Sequence, residues 1–88
     1  MSAAVAQPIM DYYRLYGIDR AWKAKDIVKA IRKEQADARA HMAALPAGDE
    51  ETFKKVQKMF NEASEAIKRF KTEEKKREYD QLLDEAYR

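Results

Sequence analysis

The sequence predicts an all-α fold. Its centre is an antiparallel helical hairpin of about residues 23–45 and 49–70, preceded by a short helix at about 9–17 and followed by another at about 72–87. Three observations predict it. The 88 residues include only two Gly and two Pro. Ala, Glu, Lys, Arg and Gln dominate, all good helix formers. Phe53, Val56, Phe60, Ala63, Ile67 and Phe70 recur at alternating steps of three and four, which places them on one stripe of a helix, with Met59 and Ala66 widening it. Finally, Leu45-Pro46-Ala47-Gly48-Asp49 is a tight turn: Pro46 stops one helix, Gly48 relaxes the backbone and Asp49 caps the next.

The first eight residues are small and unpatterned, and a disordered lead is expected there, with Pro8 suited to helix entry. Asp11 is a plausible N-cap for the aromatic turn Tyr12, Tyr13, Leu15 and Tyr16, which Gly17 ends. Asp19 to Trp22 is a connector in which Trp22 is expected to be half buried.

In the second helix Ile27, Ala30, Ile31, Ala38, Met42 and Leu45 share one arc. Lys25, Lys29, Arg32 and Arg39 share the opposite one, with Lys33 beside them. Such a helix docks on a core and shows charge outward, either as a plain solvated face or as a docking surface for an acidic partner. Net charge is only +2, yet residues 23–45 hold six basic and three acidic side chains, so the excess is concentrated on this helix. Glu34 interrupts the apolar arc and is expected to escape to a rim or to meet a Tyr hydroxyl or a cation. His41, at the arc's edge with no Cys or second His, is a poor metal ligand.

A short connection makes the long helices antiparallel neighbours. Counting outward from the turn pairs Leu45 with Phe53, Ala38 with Phe60, and Ile31 with Ile67. Thr72 caps the last helix, where Glu73 and Arg77 are spaced for an ion pair. Tyr79, Leu82, Leu83, Ala86 and Tyr87 form a second apolar stripe running to the end without a stop signal. That stripe is expected either to complete the core or to serve as a second interface, self-association included; alternatively, the chain is the N-terminal part of a longer protein.

Several function classes find no footing. There is no Cys, no nucleophile–base pair, no Gly-rich phosphate loop and no metal-ligand cluster. No enzyme activity, catalytic residue, metal or cofactor is therefore expected. No run is apolar enough for a membrane span and the start lacks a secretory pattern, so a soluble, cytoplasmic protein is the default expectation. Nucleic-acid binding is the weakest reading, because aromatics do not interleave with the basic residues.

Two motifs then recur together. Asp11-Tyr12-Tyr13-Arg14-Leu15-Tyr16-Gly17-Ile18 resembles the opening helix of the J domain of DnaJ-type co-chaperones. Phe60, Ala63, Ser64-Glu65-Ala66-Ile67, Phe70, Glu74-Lys75-Lys76 and Tyr79-Asp80 resemble that family's third and fourth helices. Between them, Asp26-Ile27-Val28-Lys29-Ala30-Ile31-Arg32-Lys33 is similar to its second helix, and the likeness covers about residues 10–80. J domains carry a His-Pro-Asp triplet after helix two, needed to stimulate ATP hydrolysis by DnaK-type chaperones. Counting from Ala30, its place is held here by Arg39-Ala40-His41. The connection to Phe60 is about seven residues longer than usual, roughly one extra turn on each arm of a hairpin in place of an irregular loop. Lys23 stands where the family usually has a capping Ser, and Glu34 at a usual Leu.

The resemblance implies a J-like protein-interaction module that does not stimulate the ATPase. Lys29, Arg32 and Lys33 match the family's basic face, which contacts the negatively charged surface of DnaK-type chaperones. J-like domains lacking the triplet also pair with a true J domain and hold it in check, so either protein is an implied partner. The alternative is an active or atypical co-chaperone that recruits the DnaK-type chaperone without the triplet.

Overall fold

The computed structural model describes residues 9–87, so the expected lead over residues 1–8, Pro8 included, lies outside the described residues. Within them the chain is all-helical, with no strand. The elements are α1 (Tyr12–Tyr16), α2 (Ala24–Ala44), α3 (Glu50–Arg69) and α4 (Glu73–Ala86).

Local chemistry sets the boundaries. The Asp11 carboxylate accepts the Arg14 amide at 3.2 Å and opens α1. Gly17, at φ +62°, closes it and lets the Ile18 amide reach the Tyr13 carbonyl at 2.9 Å. Asp49 caps α3 through the Thr52 amide, and Thr72 caps α4 through the Lys75 amide. Gly48, at φ +93°, occupies a backbone region that other residues enter only with strain, and so permits the hairpin turn.

The start of α2 is capped from another helix. Lys23 supplies no side-chain cap. Instead the Glu73 carboxylate accepts the Ala24 amide at 2.5 Å. The expected Glu73–Arg77 pair is therefore replaced: the carboxylate serves an orphan helix amide, a charge-assisted bond stronger than a solvated pair along one helix. Trp22 in the connector remains 45% exposed.

α2 and α3 lie along each other, and the contacts between them follow the register expected from the turn. Gln35 donates to the Phe60 carbonyl at 3.2 Å and to Ser64 Oγ at 2.6 Å, while Arg39 covers the Phe60 ring. At the tip, Leu45 and Phe53 line the same groove.

The core sits at the base of this hairpin. Phe70 and Tyr79 are fully buried and meet edge to face, with ring centroids 5.1 Å apart; Tyr13 meets Phe70 at 5.4 Å. Ile18, Ile27, Ile31, Ala63, Ala66 and Leu83 close around them. α1 is held to α4 by polar contacts as well. The Tyr79 hydroxyl donates to the Met10 carbonyl and accepts the Tyr12 amide, and the Tyr13 hydroxyl donates to Asp80. Arg20 forks onto Asp84 with two bonds of 2.8 Å.

The apolar stripe of α3 is covered unevenly. Val56, Ala63 and Phe70 are buried and Phe60 and Ile67 half-buried, but Phe53 is 41% exposed. α1 and α4 pack only against the base, and α2 alone cannot cover a stripe wider than about 100°. The distal hairpin is thus two helices thick, in a flat molecule of 44 × 38 × 17 Å.

Candidate functional site

α2 passes without a break through Arg39-Ala40-His41 to Ala44, so those three side chains stand on a helix surface, all exposed. Upstream on the same helix Lys25, Lys29, Arg32 and Lys33 are exposed too. Their spacing places like charges at (i, i+4) and (i, i+3), where they repel by a few tenths of a kcal/mol per pair, about 0.2–0.5. Among the described residues none of Lys25, Lys29, Arg32, Lys33 and Arg39 forms an ion pair with a carboxylate. Arg39 has a different partner, its guanidinium lying 5.4 Å from the centroid of the Phe60 ring. An acidic surface laid on this face relieves the repulsion without breaking an existing ion pair.

Beside the cations runs a shallow groove of about 420 Å³, floored by Ala36, Ala40, Ala43 and Phe60 and flanked by Arg32 and Arg39. The helical wheel placed the cations but missed this floor. Phe60 reads as one more member of the α3 stripe, and the small alanines of α2 carry no pattern that marks a groove.

The second apolar stripe is divided. Tyr79 and Leu83 are buried in the chain's own core, while Leu82, Ala86 and Tyr87 are exposed and the Tyr87 hydroxyl donates to the Ile9 carbonyl at 2.9 Å. A second interface on α4 therefore has only Leu82, Ala86 and the Tyr87 ring to offer.

A smaller cleft opens where α1, α2 and α3 meet, lined by Leu15, Tyr16, Glu34, Met59 and Glu62 over a floor of Ala38 and Ala63. Glu34 does reach an exposed rim there, as its place on the wheel required. Sequence periodicity gave no sign of the cleft: Leu15 sits in a helix too short to show a stripe, and Met59 lies at the margin of one.

Burial pushes the Tyr16 phenol up to about 12, helped by Glu62, Tyr12 and Glu34. Burial likewise pushes Tyr79 up to about 12, and burial together with the bond to Asp80 raises Tyr13 well above the usual phenol range. A phenol that ionises later in the folded chain than in the unfolded one stabilises the fold below its unfolded pKa, and that contribution is lost as pH rises. Cooperative unfolding is therefore expected between pH 10, the ordinary phenol value, and about 12. Circular dichroism followed against phenolate absorbance checks this; the phenols ionising near pH 10 with the helices intact contradicts it.

Among the described residues no group of three or more His, Cys, Asp or Glu side chains is placed to hold a metal ion. Nor is any described helix long and apolar enough to cross a membrane. Compared with known proteins, the chain matches no family model, no curated protein and no solved structure.

Proposed function

We propose that the chain is a non-enzymatic, J-like protein-interaction module that docks an acidic protein surface on the cationic face of α2. The observation that carries this reading is the set of exposed Lys25, Lys29, Arg32 and Lys33 side chains without ion-pair partners among the described residues. Two further features support it. The order of a short helix, two long ones and a fourth agrees with the resemblance of residues 11–18, 26–33 and 60–80 to J domains. α2 also stays helical where a J domain carries the His-Pro-Asp loop.

The partner this reading implies is a DnaK-type chaperone or a true J domain. A continuous helix presents Arg39, Ala40 and His41 at helical angles, without a proline-bent corner. Docking without ATPase stimulation is the consequence.

A steady-state assay separates this from an active co-chaperone. Adding the protein to a DnaK-type chaperone is expected to leave ATP turnover at its basal rate. In the presence of a true J domain it is expected to lower the stimulated rate. Lys29→Glu with Arg32→Glu is expected to weaken that inhibition about tenfold, since two rim charges are worth roughly 1 kcal/mol or somewhat more together. A clear rise in turnover from this protein alone overturns the proposal in favour of the active co-chaperone, and inhibition unchanged by the double variant removes the basic face from it.

A further inference from the structure

The bundle carries a second surface, of opposite sign. On α2, Glu34 lies about half a turn round from the Lys25–Lys29–Arg32 arc at 3.6 residues per turn. It faces the cleft shared with α1 and α3, where Glu62 stands on the other helix of the hairpin. Between the two carboxylates the surface is apolar. Leu15 is 50% and Met59 59% exposed, and the small buried side chains of Ala38 and Ala63 leave the floor low. Neither Glu34 nor Glu62 forms an ion pair among the described residues.

Size narrows the occupant. The cavity is about 190 Å³, against roughly 300–1,000 Å³ for the usual small-molecule site. It has room for one large apolar side chain of a partner rather than for a free ligand. Charge narrows it further, because two carboxylates flanking an apolar slot favour a cation on either side of that side chain. A helix that lays an apolar face in a groove supplies such anchors at (i, i+3) or (i, i+4), with Lys or Arg beside them. Met59, unbranched and polarisable, adapts to the shape that enters.

We infer that this cleft between α1, α2 and α3 is a docking site for a cationic amphipathic helix, which inserts an aliphatic side chain between Leu15 and Met59 and sets Lys or Arg against Glu34 and Glu62. The site goes beyond the J-like reading and makes no use of the cationic face. One chain thereby offers an acidic partner and a basic partner separate surfaces.

The test titrates the full chain with a synthetic amphipathic helical peptide bearing Leu on one face and Lys on both flanks, and with its counterpart carrying Glu at every Lys. Amide chemical shifts report the site and isothermal calorimetry the affinity. The Lys peptide is expected to shift Leu15, Tyr16, Glu34, Met59 and Glu62. Glu34→Gln with Glu62→Gln weakens it about tenfold, as expected for the loss of two exposed charge contacts. Met59→Asp, at an exposed position that leaves the fold intact, also weakens it, whereas Lys29→Glu with Arg32→Glu does not. No binding of the Lys peptide, shifts confined to other residues, equal affinity for the Glu peptide at this cleft, or affinity unchanged in the double Gln variant each overturns the inference. Sedimentation revealing a dimer of the free chain that Met59→Asp dissociates overturns it as well, by assigning the cleft to a second copy. Because the chaperone assay reads the other face, failure of either proposal is visible without the other.

Discussion

Phe70→Ala is expected to remove a large share of the stability of the whole molecule, about 3–5 kcal/mol. The ring is fully buried and meets Tyr12, Tyr13 and Tyr79 at centroid distances of 6.4, 5.4 and 5.1 Å. Removing a buried Phe costs about 3–5 kcal/mol, transfer and cavity terms together. A chain of 88 residues has a total stability on the order of 4–13 kcal/mol at roughly 0.05–0.15 per residue. The loss is therefore a large share of the whole. It falls where α1, α4 and the base of the hairpin are joined, so no part of the core is insulated from it. Urea unfolding followed by circular dichroism measures the change. Phe53→Ala, at the thin end of the same stripe, is the comparison and is expected to cost about 1 kcal/mol or less because the side chain is already 41% exposed. Equal losses at the two positions contradict a core confined to the base.

Ala40→Pro addresses the same unevenness from the other helix. Ala40 lies inside α2 and not at its end. Proline there deletes an amide hydrogen bond and clashes with the carbonyl four residues earlier, at about 3 kcal/mol or more. The distal arms lack cover from α1 and α4, so the expected outcome is local: amides from about His41 to Phe53 exchange fast while those of Ile27, Ile31 and Phe70 stay protected. Hydrogen exchange by NMR reads this residue by residue. Uniform loss of protection contradicts it, as does no loss at all. The variant also bears on function. On the J-like reading proposed above, placing His-Pro-Asp at positions 39–41 is expected to melt the end of the hairpin rather than form an activating corner, and ATP turnover of a DnaK-type chaperone stays at its basal rate.

Much of the architecture is legible in the sequence. Asp11, Asp49 and Thr72 accept the amides that their positions suggested, and Gly17 and Gly48 take the positive φ values that the turns need. These are local effects, set by a few neighbouring residues. The cations of α2 were legible for the same reason, since 3.6-residue periodicity alone puts Lys25, Lys29 and Arg32 on one arc. The Glu73 cap on Ala24 was not, because its partners are 49 positions apart and (i, i+4) spacing offered Glu73 a nearer cation. Nor was the exposure of Phe53, which depends on how far α1 and α4 reach along the hairpin. The partner class proposed above rests on the resemblance of residues 11–18, 26–33 and 60–80 to J domains, which argues by association, and the chaperone assay tests it.

By itself the sequence determined four helices, the N-caps of α1, α3 and α4, the turn at Pro46–Gly48 and the cationic arc, all of them products of short-range backbone chemistry and helical period. Only tertiary structure decided where the stripes are covered and where they stay open. Burial is a property of what lies across from a residue: Tyr79 and Leu83 turn inward because α1 and the hairpin base meet them, while Leu15 and Met59 flank an open cleft because only the small Ala38 and Ala63 lie beneath.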